Sequence, residues 1–177
     1  MKYGTLEPAG DRWRITYERR LAHPPEKVWR ALTEAEHLAA WFPSTIEGDW
    51  EVGAPLRFVF PFEEAPVLEG TVLAYEPPRL LELTWGEDHL RFELTPEGGG
   101  CHLRFAVTIV ELGKGARDGA GWHACLDALA RHLDGDAPAA VRAAREGWKE
   151  VHPAYVKSFG PEASVIGPPD WHPETGG

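Results

Sequence analysis

Cysteine is scarce in this chain, with Cys101 and Cys125 the only two among 177 residues. They form no CxxC pair and no ladder of the kind that staples small secreted domains. Both are expected to be buried free thiols acting as small hydrophobes, Cys101 on a strand and Cys125 on a helix. The 8 histidines are scattered and HExxH is absent. With no Cys/His cluster at ligand spacing, no metal and no other cofactor is expected. Nothing approaches the run of roughly 20 apolar residues that a membrane span needs. Residues 1–13 are polar and lack the apolar centre of a signal peptide, so a cytoplasmic protein is expected. Positive charge is also short, 18 Lys and Arg against 28 Asp and Glu, net −10. Such a surface repels phosphate backbones, and nucleic acid is not an expected partner. Ser44, Ser158 and Ser164 have no nucleophile-elbow context. The glycine-rich stretch 113–121 lacks the GxxxxGK[ST] spacing of a phosphate loop. No catalytic residue can be assigned.

Hydrophobic residues make up 43% of the chain, enough for one core. From Gly119 to Leu133 they follow helical spacing. Trp122, Cys125, Leu126, Leu129 and Leu133 make one apolar stripe, and His123, Asp127, Arg131 and Asp134 lie off it. Before this helix the period is two. Trp13, Ile15 and Tyr17 alternate with Arg14, Thr16 and Glu18, which predicts a strand over Arg12 to Arg20. Pro24 and Pro25 open a short helix, and Thr33 is expected to break it and cap a second one, Glu34 to Trp41, ended by Pro43. Alternation then resumes through Leu56–Phe58–Phe60, residues 67–75, Leu81–Leu83–Trp85, Leu90–Phe92–Leu94 and Leu103–Phe105–Val107–Ile109. Gly70 marks a bulge or a close approach, and residues 96–100 a hairpin. Short turns between consecutive strands predict an antiparallel meander with one buried face. Residues 113–121 are expected to be a flexible connector, with Asp118 capping the long helix. A further helix, Ala139 to Val151, is expected after Pro138, interrupted at His152 and Pro153, with a loose tail from Val165.

The order is strand, two short helices, meander, long helix. The segment Pro25-Glu26-Lys27-Val28-Trp29-Arg30-Ala31-Leu32-Thr33, followed by Leu38 and Trp41-Phe42, resembles the START-like (SRPBCC, birch-pollen-allergen-type) superfamily. Gly70-Thr71-Val72, Pro77-Pro78-Arg79-Leu80, Trp85 before a charged turn, and Gly121-Trp122 look most like the C-terminal domain of the Aha-type activator of the heat-shock ATPase chaperone. The resemblance covers roughly residues 15–133. It implies an α+β helix-grip fold, a curved antiparallel sheet wrapped around the long helix, with residues 1–135 as the domain, 136–164 as a helical extension and 165–177 as a flexible tail. Relatives use the enclosed space for lipids or other apolar molecules, for polyketide cyclase or dehydratase chemistry, or act on a chaperone through their surface. No single catalytic signature carries over.

The candidate site is therefore the apolar interior: Trp41 and Phe42 from the short helices, Phe58, Phe60, Trp85, Phe92 and Phe105 from the strands, and Trp122, Cys125, Leu126 and Leu129 from the long helix. These either line a pocket for a hydrophobic small molecule or interdigitate into a dry core. Arg91, His89, Arg104 and Glu69 have outward parity and are expected in solvent. Trp29, Trp41, Trp50, Trp148 and Trp171 offer a second idea, an exposed patch for a chaperone or other protein partner. The extension is expected to cover a cavity mouth or to serve as a homodimer surface.

Overall fold

The computed structural model describes residues 3–168. Among them the chain forms β1 (Thr5–Ala9), β2 (Arg12–Leu21), α1 (Pro25–Thr33), α2 (Ala35–Trp41), β3 (Thr45–Glu47), β4 (Pro55–Val59), β5 (Leu68–Glu76), β6 (Leu80–Trp85), β7 (Asp88–Glu97), β8 (Gly100–Ile109), α3 (Gly115–Leu133), α4 (Pro138–Arg145) and α5 (Trp148–Phe159). All eight strands join one antiparallel sheet in the order β1-β2-β8-β7-β6-β5-β4-β3. The α1–α2 segment carries the chain from β2 to the opposite edge, and the meander then walks back until β8 lies beside β2. The helix-grip arrangement read from the sequence is the fold observed.

Register explains the single buried face. Tyr17 lies opposite Phe105, Phe105 opposite Phe92, and Phe92 opposite Leu81. Alternation puts these four rows on the concave side, and all are buried. Gly70 is a close approach: a Cβ there would lie 2.1 Å from the Thr84 carbonyl oxygen and 2.8 Å from the Phe58 ring. The inner row of β7 begins with a carboxylate, Asp88, which is buried. It accepts the Val110 backbone N–H at 3.1 Å and pairs with Lys114, pinning the start of α3 to the sheet.

Four local expectations are corrected. The stretch 113–121 is not a connector: α3 already begins at Gly115, and the glycines serve close packing. A Cβ on Gly119 would lie 2.9 Å from the Tyr155 ring and 3.0 Å from Phe159, so α5 seats directly on this side of α3. Asp118 is inside the helix, bonded to Arg117 at 2.9 Å, and caps nothing. Thr33 ends α1, its hydroxyl donating back to the Trp29 carbonyl at 2.9 Å, while Glu34 stands between the two helices. The helical extension breaks at Glu146–Gly147, not at His152 and Pro153, and Pro153 lies inside α5. Proline there removes one helical N–H, and α5 continues across it with Val151 and Tyr155 buried.

The N-terminal residues read only as polar form β1, which pairs with β2. Just before it, Gly4 donates its N–H to the Tyr155 hydroxyl at 2.8 Å. Tyr155 Oη is also 2.8 Å from His123 Nδ1. The other ring nitrogen of His123, Nε2, lies 3.4 Å from Asp127. Tyr17 donates to the Gly119 carbonyl at 2.5 Å. Burial raises the pKa of both tyrosines, Tyr155 to about 12. At the far end, Ile166 N–H bonds the Gly113 carbonyl at 3.0 Å. Residues 169–177 of the expected tail, with Trp171, lie outside the described residues.

Tyr155→Phe strands the Gly4 N–H and the His123 nitrogen while preserving the ring. Leaving such buried groups unmatched costs about 1–3 kcal/mol. Urea unfolding of the variant should show that loss. A change within about 0.5 kcal/mol would mean that water replaces the hydroxyl and that the three-way junction contributes little.

Candidate functional site

The eleven residues singled out from the sequence converge between the sheet and α3. Trp41, Phe42, Phe58, Phe92, Phe105, Trp122, Cys125, Leu126 and Leu129 are all buried in one cluster. Trp85 is half-buried and packs against that cluster, and Phe60 is half-buried beside Trp85. Trp85 sits at the end of β6, where Phe58 meets it at 4.6 Å between ring centroids, Phe42 at 5.5 Å and Trp122 at 5.5 Å. From Trp122 the contacts run to Phe105 at 5.3 Å, on to Phe92 at 4.3 Å, and from Phe92 to Trp41 at 6.2 Å. Most of these rings meet tilted or edge to face, the favoured geometry for aromatic quadrupoles. The deep part of the interior is thus filled by the side chains themselves. The half-buried members, Phe60 and Trp85, mark the end framed by α2, β4, β6 and the first half of α3.

Polar groups are few at this end. Ser44, two residues beyond Phe42, is 5% exposed and its hydroxyl has no hydrogen-bond partner. Such an orphan is uncommon in folded proteins. The other buried polar residues are committed elsewhere, Asp88 to Lys114 and His123 to Tyr155. Cys125 and Cys101 are buried and free, and loss of hydration pushes their thiols up to about 12 and about 11.

The convex side of the sheet is a different environment. A shallow groove of about 540 Å³ there is lined by Ala9, Arg14, Glu82, His89, Arg91, Glu93, Arg104, Ala106 and Thr108. Arg91 bridges Glu82 at 2.9 Å and Glu93 at 2.7 Å, and Glu69 is exposed. This is the solvated, ion-paired face expected from strand parity, where isolated pairs contribute little. The tryptophan patch is not formed by the members the structure describes. Trp29 and Trp41 are buried, Trp50 donates its indole N–H to the Thr33 carbonyl at 2.8 Å, and Trp148 packs against the core.

Residues 22–134 match the family described as Activator of Hsp90 ATPase homolog 1-like protein. The chain belongs to that family. Among solved structures it is similar to CalU16 from Micromonospora echinospora, at 22% identity and TM-score 0.69, over 90% of this chain and 97% of that one. It is similar to a conserved protein of unknown function from Enterococcus faecalis, EF2215, at 22% identity and TM-score 0.72, over 88% and 90%. The Aha1 dimer from Colwellia psychrerythraea aligns at 21% identity and TM-score 0.59, over 68% of this chain and 95% of that one. At these identities the likeness establishes the fold. No curated protein matches. The CalU16 likeness, over 90% of this chain, runs past the matched segment into the C-terminal helices.

Sequence reasoning missed the second face of α3. His123 lies off the apolar stripe yet is wholly buried. The available signal was the series Gly115, Gly119, His123, four residues apart, with alanines at 116 and 120, since small residues at helical spacing let another helix approach. Also missed was His132, whose pKa is lowered by burial, then by neighbouring His37 and Lys27.

The raised thiol values have a consequence at high pH. An unfolded thiol ionises near its ordinary value of 9.0, whereas the folded ones stay protonated to about 11 and about 12. Their contribution to stability is therefore complete below pH 9 and is lost as pH rises toward the folded values. Urea midpoints should fall between pH 9 and pH 11, less steeply in Cys125→Ala. Native protein at pH 8 should not react with a water-soluble disulfide reagent, and the urea-unfolded chain should react at both sites. Rapid native labelling at Cys125 would show that the core opens readily.

Proposed function

We propose that this family member is a non-catalytic binding protein that takes an apolar, ring-bearing small molecule at the Phe60/Trp85 end of its interior. The observation that carries this reading is the aromatic cluster itself. Deep rings are sealed, yet the run of ring contacts from Trp41 through Phe92, Phe105 and Trp122 reaches two half-buried members, Trp85 and Phe60, at this end. A ligand can extend that stack without disturbing the α3–sheet core. The unpartnered Ser44 hydroxyl supplies the kind of sparse polar group that orients a ligand in an otherwise apolar site. Pairing of a carboxylate with a histidine, as acid–base work requires, is not found among the described residues of this end. That leaves a cyclase- or dehydratase-like reading with less support.

The family match favours one second reading. The chain acts as an Aha-type protein on a heat-shock ATPase through its surface, with the extension beyond residue 135 available as a homodimer or partner face. A pull-down and turnover assay with the cognate ATPase separates this from the first reading. Stimulation by wild type and by Trp85→Ala alike would assign the activity to the surface.

For the first reading, the test is a thermal-shift and fluorescence titration with 1-anilinonaphthalene-8-sulfonate and a panel of uncharged polycyclic aromatics. A ligand at 100 times its Kd stabilises by about 2.7 kcal/mol. A matching rise in Tm is expected for wild type, reduced in Trp85→Ala and Phe60→Ala. No shift with any member of the panel at saturation would overturn the proposal.

A further inference from the structure

The histidines look scattered in the chain, but the fold brings two of them together. His37 stands in the first turns of α2 and His132 in the last turn of α3, 95 positions apart. His37 Nδ1 and His132 Nε2 are 2.8 Å apart. A hydrogen bond between two ring nitrogens needs one N–H and one lone pair, so at least one ring is neutral and the two donor atoms face each other. Metal–imidazole bonds are about 2.0–2.1 Å. Two nitrogens on one ion are then about 2.9–3.3 Å apart, depending on the ligand angle. Exchanging the shared proton for an ion therefore requires the rings to separate by about half an ångström or less and each to turn off the nitrogen–nitrogen line by roughly 35–45°.

The surroundings suit a cation. Glu36 has a carboxylate oxygen 3.7 Å from His37 Nε2, the nitrogen turned away from His132. Drawn in to hydrogen-bond distance, a carboxylate on the far nitrogen is the arrangement that orients a metal-bound histidine. Glu34, Glu36 and His37 each place a ligand atom within 4.8 Å of the others, which brings a second carboxylate to the same spot. The opposing charges nearby are Lys27, its ammonium held by the Leu133 carbonyl at 3.0 Å and by His23 at 3.1 Å, and Arg142 and Arg145 in the adjoining cleft, Arg145 bonding the Ala39 carbonyl at 3.1 Å. His132 also lines a cleft of about 240 Å³ between α2, the end of α3 and α4, so that water or a small anion can complete the coordination.

We propose that His37 Nδ1 and His132 Nε2 form a binding site for a divalent first-row transition metal, zinc, nickel or copper, that ties α2 to the end of α3. Imidazole ligands select these ions over calcium and magnesium. Glu36 positions His37, and water or a small anion from the cleft fills the remaining coordination positions. This site is separate from the aromatic end and does not depend on the function proposed there.

The test is calorimetric titration of the full chain with zinc chloride, repeated with nickel and with magnesium. Wild type should bind one equivalent of zinc, reversed by chelator, with no magnesium heat. His37→Gln and His132→Gln should each weaken binding at least about tenfold, Glu36→Gln should weaken it by about tenfold or more, and His89→Gln, on the convex face, should leave it unchanged. Equal binding by wild type and the double His37→Gln/His132→Gln variant would overturn the site, as would zinc binding that survives His132→Gln alone. If a variant fails to fold, paramagnetic copper added to wild type decides the matter. Ring-proton signals of His37 and His132 should broaden first, and earlier broadening of any other histidine would refute the proposal.

Discussion

The rest of the structure depends on α3 being buried on two sides at once. Twelve of its nineteen residues are buried, too many for one stripe. One face carries Trp122, Cys125, Leu126 and Leu129 onto the concave sheet. An adjoining row carries Gly115, Gly119 and His123 against α5 and the segment after it. Neither cover can be removed without exposing the row it covers. The sheet alone would leave His123 and the glycine face in water, and α5 alone would leave Trp122 without Phe105 and Trp85. The buried Asp88–Lys114 pair and the Tyr17 bond to Gly119 fix where along the sheet the helix begins. The C-terminal helices are in this sense part of the grip, since Tyr155 joins α5 both to α3 and to the strand entry at Gly4.

Periodicity made the inner surface legible. A period of two over Leu103 to Ile109, Leu90 to Leu94 and Leu81 to Trp85 leaves only one way to face a common core, and Trp122 and its helical partners had to lie on it. That is why all eleven candidate residues meet. The outer surface of α3 was not legible for a physical reason. Glycine and alanine score as weak or flexible in isolation, and their value as a docking surface exists only once another helix is present. The stretch 113–121 therefore read as a hinge and folded as the start of a helix. β1 was hidden for a related reason. An edge strand with Pro8 and charged neighbours shows no alternation, because only one of its sides has anything to pair with. The His37–His132 pair is a long-range coincidence of two helix ends, and no local pattern encodes it.

The aromatic interior shows why such a fold can bind without a catalytic motif. Each ring is held by several others at angles near the favoured ones, so the cluster is rigid in its deep part. Reaction chemistry at a buried site would need groups whose charge is tolerated there. Buried Asp88 and half-buried Asp118 are already matched by Lys114 and Arg117 at the base of α3. The interior is therefore equipped for shape and apolar contact. Its unpartnered hydroxyl at Ser44 sits where the α2 segment turns into β3, the place where the chain passes from the sealed core to the half-open end.

The two proposed sites share one short element. α2 carries His37 near its start and Trp41 near its end, with Phe42 following as the residue that closes the helix. Only a turn or so of helix separates the ring facing α3's last turn from the rings that frame the aromatic end. Holding His37 against His132 restricts how α2 tilts on α3, and α2's tilt sets how far Phe42 stands from Trp85 and Trp122. If one ligand changes that tilt, thermodynamic linkage requires the other to feel it by the same factor. A rigid α2 would make the two sites independent. The sign and size of any coupling thus measure whether α2 is a fixed wall of the grip or its moving part.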